Sequence, residues 1–235
     1  MTRPQEDGER TAAALRARGH AVVIAPLLRA EFLPDARIGA GPWAAVLITS
    51  ANAARAAAAH PRFAEIRAAP VFAVGERSGK ILRTLGFESV ASADGNVADL
   101  ASFVAARLAR GAKLLYLAGE DRSGDLAGDL AARGFTVETA VLYRAVGVDS
   151  LPPAAVEALG GELGGVLHLS RRSAAIYVDL TRRAEILGRA LKPVQFCLST
   201  QVAEPLVAAG AATVRIAAKP TEAALLELIG PAATP

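Results

Sequence analysis

Three kinds of segment occur twice in this chain, in the same order, and no other feature constrains its fold so strongly. The first is LRARGHAVVIAPLLRA, from Leu15 to Ala30, which returns 115 residues later as LAARGFTVETAVLYRA, from Leu130 to Ala145. The second pairs ITSANAARAA with HLSRRSAAIY and sets Ser50 against Ser170. The third pairs VFAVGERSGKILRTLGFESVASA with QFCLSTQVAEPLVAAGAATVRIAA, which aligns Gly86 with Gly210 and Val90 with Val214. Each third segment leads into an amphipathic stretch, Val97 to Leu108 and Thr221 to Ile229.

Within each copy the local pattern is a short apolar run, a polar or glycine turn, and then an Ala/Leu-rich stretch of helical period. Ala45 to Ile48, Val71 to Val74, Leu114 to Leu117, Val166 to Leu169 and Phe196 to Leu198 are the apolar runs. Strands alternating with helices imply an α/β fold with parallel sheets flanked by helices. At 235 residues the chain holds two such units of ordinary domain size. Gly19 and Gly134 follow matching helices at the left-handed position that glycine fills without steric cost. Repetition alone leaves open whether each domain is a contiguous half or one domain is built from both chain ends.

The copies are not equal. The second has a full strand, Lys113 to Ala118, ahead of its first turn, whereas the first has only Met1 and Thr2 before Arg3. A strand needs about five residues. The expectation is therefore that the start printed here lies several residues inside the true strand and that one sheet is a strand short.

Composition narrows the function classes. A hydrophobic fraction of 52% with 21% charged residues is that of a folding chain. No apolar run is long enough to span a bilayer, and the first residues, MTRPQEDGER, carry no apolar signal region, so a cytoplasmic protein without a membrane partner is expected. Cys197 is the only cysteine, and His20, His60 and His168 lie far apart, which argues against disulfides and metal centres. A net charge of +3 with no basic block interleaved with aromatics argues against a nucleic-acid partner.

In open parallel sheets, ligands bind beyond the carboxyl ends of the strands, where helix N-termini present free N–H groups. The turns there are Arg3-Pro4-Gln5, Thr49-Ser50-Ala51-Asn52, Gly75-Glu76-Arg77-Ser78, Gly119 to Ser123, Ser170-Arg171-Arg172-Ser173 and Ser199-Thr200-Gln201. Hydroxyls, backbone amides and arginines suit a carboxylate or phosphate ligand, although a serine in this place also serves simply as a helix cap. Asp121 and Ser123 are expected to cap the helix after their strand. Gly75 to Lys80 is one residue short of a phosphate loop and has Ile81 where the metal-binding hydroxyl belongs. The glycines at 39 and 41 precede a strand instead of following one. His168 and Cys197 read as core. Tyr143 stands apart: it lies in one of two extended tails, Leu27 to Pro34 and Leu142 to Asp149, that follow matching positions in the copies. A phenol keeps its proton at neutral pH and can donate it to a leaving group, or it can simply pack with its hydroxyl in water.

Lined up in this way, the chain resembles the uroporphyrinogen-III synthase family. The likeness runs through TRPQEDGERTAAAL, ITSANAAR, AVGERSGKIL, LYLAGEDRSGDLAGDLAARGFTVETAVLYRAV, LHLSRRSAAIY, CLSTQVAEPLVAAGA and PTEAALLELI. It implies two related α/β domains, each a parallel sheet flanked by helices: residues 1–30 plus 149–235, and an inserted 35–141. A two-stranded hinge ladder of 27–34 and 142–149 would join them. It also implies a monomeric lyase of haem biosynthesis that needs no cofactor. Its small-molecule substrate would be hydroxymethylbilane, a linear polycarboxylate, which the enzyme dehydrates and cyclises with inversion of ring D through a spiro intermediate. By matching position Tyr143 resembles the family's general acid. Arg3, Thr49, Ser50, Ala51, Asn52, Gly75, Ser170, Arg171, Ser199 and Thr200 fall on turns expected to meet the substrate. Ser199-Thr200 and Arg171 depart from the Gly-Pro and Pro of many members. The competing readings are a non-enzymatic binding protein for a small anion and an inactive, degenerate synthase.

Overall fold

The computed structural model describes Thr2, residues 5–122 and residues 124–232, with the side chains of residues 5–7 left aside; Arg3 and Ser123 lie outside the described residues. In chain order its elements are α1 (Gln5–Arg16), β1 (Leu28–Phe32), β2 (Ala45–Ile48), α2 (Ala51–Ala58), α3 (Phe63–Ala68), β3 (Pro70–Ala73), α4 (Glu76–Thr84), β4 (Ser89–Ser92), α5 (Val97–Arg107) and β5 (Lys113–Gly119). There follow α6 (Leu126–Ala132), β6 (Thr136–Gly147), α7 (Pro153–Gly160), β7 (Gly165–His168), α8 (Arg171–Arg183), α9 (Leu187–Ala190), β8 (Val194–Cys197), α10 (Thr200–Ala208), β9 (Val214–Ile216) and α11 (Glu222–Ile229). The chain divides into two compact units, Met1–Arg29 with Val146–Pro235, and Ala30–Ala145.

In the middle unit the sheet runs β1-β6-β5-β2-β3-β4. All four residues of β2 are fully buried, and the strand pairs in parallel with β3 on one side and β5 on the other. A strand buried on both faces must be apolar at every position, which is why it reads as an unbroken run and not as an alternation. Its side chains still alternate. Val46 and Ile48 share one core with Ile66 and Leu82 from α3 and α4, whereas Ala45 and Leu47 share the other with Leu100, Val104 and Leu130 from α5 and α6.

The terminal unit repeats the plan in smaller form, with parallel strands in the order β7-β8-β9. One core gathers Leu159, Tyr177, Val178 and Leu206, and the other Leu15, Phe196, Leu225 and Leu226. Gly19, Gly86, Gly134 and Gly210 hold φ values of +87°, +90°, +89° and +88°, so the matched glycines do turn their helices in the left-handed region.

The chain passes between the units inside β1 and β6. Leu33 N–H donates to the Leu142 carbonyl at 2.8 Å and Val148 N–H to the Leu27 carbonyl at 3.1 Å, so the two stretches run antiparallel.

One likeness in sequence is not carried into structure, and one expectation needs correction. Residues 21–26 match the first half of β6 in sequence but form no strand, because the neighbour that β5 supplies to β6 has no counterpart among the described residues. The helix after β5 is capped by Asp125, whose carboxylate accepts from Gly128 N–H at 2.9 Å, and not by Asp121, because α6 begins later than the turn residues suggest; Ser123, the other expected cap, lies outside the described residues. His168 and Cys197 are core, as their strands imply. His168 is fully buried, with Nε2 3.0 Å from Gln195 Oε1, and burial lowers its pKa to about 4. Burial also pushes the Cys197 thiol up to about 11, which leaves it unreactive near neutrality.

Candidate active site

The polar turns collect at the carboxyl ends of the parallel strands, and in the middle unit they form a connected cluster. Ser50 follows β2 in extended conformation and caps α2, its Oγ accepting from Ala53 N–H at 3.1 Å. The same Oγ lies 3.0 Å from the hydroxyl of Tyr143. The phenol is thus held by a group that is itself fixed to a helix N-terminus. Ala51 and Asn52 N–H open α2 without a carbonyl of their own helix in reach, the usual state of a first turn, and an anion finds donors there.

Tyr143 owes its position to an irregularity. β5 and β6 pair in step up to Ala118, where the register shifts and brings Gly119 opposite Tyr143. The ring crosses directly over Gly119: a Cβ built there would lie 2.6 Å from Tyr143 Cζ. Only glycine admits the ring, and bulges of this kind commonly re-aim a side chain. Glu120 N–H donates to the Tyr143 carbonyl at 2.9 Å, which fixes the backbone as well. Beside this pair a second one repeats the chemistry, with Thr49 Oγ1 3.1 Å from the hydroxyl of the buried Tyr116. From the sequence Gly119 is only the first residue of a polar turn and Tyr116 only part of an apolar run. A glycine ending an otherwise large-residue strand was the available signal for the first.

Gly75 caps α4 at the end of β3 with open space where a side chain would stand. In the terminal unit Ser170 caps α8, accepting from Ser173 N–H at 3.1 Å and donating to Ser173 Oγ at 2.8 Å, and no tyrosine meets it. Arg171 pairs with Glu204 at 2.9 Å. Ser199 sits at the cap position of α10 but makes no side-chain cap hydrogen bond, and Thr200 opens the helix exposed to solvent. The proposed residues thus fall into a joined set, Thr49, Ser50, Ala51, Asn52 and Tyr143, with Gly75 on the neighbouring strand, and a separate set, Ser170, Arg171, Ser199 and Thr200. Among the described residues no group of three His, Cys, Asp or Glu side chains could hold a metal ion, and no helix is long and apolar enough to cross a membrane.

Residues 9–227 match the family model described as uroporphyrinogen-III synthase HemD. The chain belongs to the uroporphyrinogen-III synthase family. The fold agrees with that membership. A uroporphyrinogen-III synthetase from Helicobacter pylori shares 19% identity with it over 88% of this chain and 91% of its own, at a TM-score of 0.55. A uroporphyrinogen III synthase from Thermus thermophilus shares 17% over 95% and 93%, at a TM-score of 0.41. No curated protein matches the chain in sequence. At 19% identity the likeness to the Helicobacter pylori structure is one of fold. A uroporphyrinogen-III synthase site is accordingly to be sought in backbone geometry as much as in residue identity.

Proposed function

We propose that this member of the family works as a uroporphyrinogen-III synthase, a cyclising lyase of tetrapyrrole and haem biosynthesis, with Tyr143 as its general acid. The family match over residues 9–227 carries the reaction, and the 3.0 Å contact between Tyr143 and Ser50 supports the acid. The substrate is hydroxymethylbilane. The Tyr143 phenol gives its proton to the departing hydroxyl, the C–O bond breaks, water leaves, and the pyrrole nitrogen's electrons complete an azafulvene cation. An already substituted carbon of ring D attacks that cation to form the spiro intermediate, and cleavage and reclosure leave ring D inverted. Closure without the enzyme gives the symmetrical isomer, so the protein's task is to orient one flexible chain, a matter of positioning and electrostatics.

In the middle unit the N–H groups at the first turns of α2 and α4, with the hydroxyls of Thr49 and Ser50, are donors for the substrate's carboxylates; in the terminal unit the first turns of α8 and α10, with Ser170, Ser199 and Thr200, are donors of the same kind. These donors fix an anion without a strongly cationic surface, in keeping with a net charge of only +3. The deciding experiment supplies enzymatically generated hydroxymethylbilane, oxidises the products and resolves the isomers by chromatography. A predominance of the type III isomer supports the reading. Type I alone, at the rate of the enzyme-free control, overturns it.

A further inference from the structure

Tyr116 carries a polar atom that its strand does not need. β5 is buried from Leu114 to Gly119, and Tyr116, 6% exposed, lies in the core with Leu47, Phe72, Leu100 and Leu126. A phenylalanine would fill that room and bring nothing to satisfy, whereas a hydroxyl kept there must find a partner. Among the described residues that partner is Thr49 alone, whose Oγ1 stands 3.1 Å away, and Thr49 Oγ1 has no other in turn.

The contact mirrors the one made by Tyr143. Along β2 the side chains alternate, Leu47 joining the core that α5 and α6 cover and Ile48 the core that α3 and α4 cover. The alternation runs on into the turn. Thr49 meets Tyr116 from the first core, and Ser50, extended at φ −144° and ψ 152°, meets Tyr143, which packs against the second. Two phenols thus hold two consecutive hydroxyls, one from each face of the sheet. They are not equivalent, since Tyr143 is half-buried and Tyr116 is too enclosed to touch a ligand.

Burial also sets the direction of the Tyr116–Thr49 bond. A buried phenol O–H that donates to nothing forfeits the hydrogen bond it had in water, so Tyr116 donates and Thr49 Oγ1 accepts. The proton of Thr49 is then left for an acceptor from outside the fold, and a hydroxyl that already accepts is the better donor.

We propose that Tyr116 is a positioning residue of the synthase reaction: by donating to Thr49 it holds that hydroxyl where its own proton meets a carboxylate of the substrate. The inference rests on the synthase reading above and adds to it a residue that acts on binding without touching what is bound. Thr49 is branched at Cβ and stiff about χ1, so one hydrogen bond is enough to fix its oxygen. Without that bond the hydroxyl is free to turn onto the backbone of its own turn, as serine and threonine hydroxyls do.

The test is a double-mutant cycle read in isomer-resolved kinetics. Thr49→Val keeps the shape and removes the hydroxyl, and it raises KM about tenfold or more, the usual worth of a hydrogen bond to a charged group. Tyr116→Phe raises KM about three- to tenfold and leaves kcat within about twofold. Together they raise KM no further than Thr49→Val alone, because Tyr116 acts only through that hydroxyl. Tyr177→Phe is the control: it also strips a buried phenol of its hydrogen bond, to the Ala190 carbonyl at 2.9 Å, but in the core of the terminal unit, and it lowers the urea midpoint without moving KM. An unchanged KM in Tyr116→Phe, effects of the two substitutions that multiply, or an equal rise of KM in Tyr177→Phe each overturn the proposal, while type III product from the unaltered chain leaves the synthase reading standing. Type I product alone from the unaltered chain overturns both.

Discussion

Two turns built on one pattern, at Ser50 and at Ser170, have been put to different use. Both serines cap a helix after a parallel strand, with the same donor geometry. At Ser50 the hydroxyl also meets Tyr143; at Ser170 it meets Ser173. The repeat explains the asymmetry, because the position that holds Tyr143 in the second copy holds Leu28 in the first. Both copies present N-terminal donors, and one of them sets a phenol beside its serine.

The largest expected effect breaks that division of labour directly. Tyr143→Phe keeps the ring over Gly119 but removes the proton, and isomer-resolved turnover should fall by about 10²–10⁴-fold, the usual worth of a general acid, while KM moves little. An unchanged rate removes Tyr143 from the mechanism. Gly119→Ala should approach the same loss by another route, about 10²-fold, since the added methyl displaces the ring that it meets at 2.6 Å.

The next sharpens the comparison in stability. Leu47 and Leu167 are repeat partners, but Leu47 is enclosed between two strands, whereas Leu167 borders a cavity of about 300 Å³. Leu47→Ala should cost about 3–5 kcal/mol and Leu167→Ala about half as much, because fewer contacts are there to lose; urea unfolding measures both.

The strand ends differ in pH response, Ile48 in one copy being His168 in the other. Burial holds the folded His168 at about 4 against an ordinary 6.5. Above pH 6.5 both folded and unfolded chains leave it neutral and its full stability is present. As pH falls from 6.5 toward 4, the unfolded chain binds a proton that the folded chain refuses, and stability drains by about 3 kcal/mol before levelling off. His168→Gln should flatten the stability profile between pH 6.5 and 4. Smallest, Ser170→Ala should cost about 1 kcal/mol as a lost cap and raise KM at nearly constant kcat, whereas Ser50→Ala, at the same cost in stability, should lower kcat.

Much of this was legible in the chain itself. Apolar runs marked β2, β3, β5, β7 and β8 because strands buried on both faces are built mostly of apolar residues, the buried His168 and Gln195 of β7 and β8 being paired with each other, and the glycine pairs marked helix ends because L-residues avoid positive φ. What was not legible depends on neighbours. Residues 21–26 have the pattern of β6, but a strand is a relation between two chains, and the pattern does not announce that its partner is missing. The passage of Tyr143 over Gly119 arises from a register shift at Ala118, which no local propensity encodes. The cap at Asp125 lies four residues beyond Asp121, on a turn longer than local pattern shows. For the site, composition could name hydroxyls on turns, but which hydroxyl meets the tyrosine needed the sheet order.

The two crossings within β1 and β6 also fix an order of birth. During synthesis the whole of Ala30–Ala145 leaves the ribosome as one uninterrupted stretch and can close upon itself, while Met1–Arg29 must wait, its leucines uncovered, until Val146–Pro235 has been made. The terminal unit is the last to be complete, and it is there that a nascent chain is most exposed to chaperone capture or to mispairing with another copy.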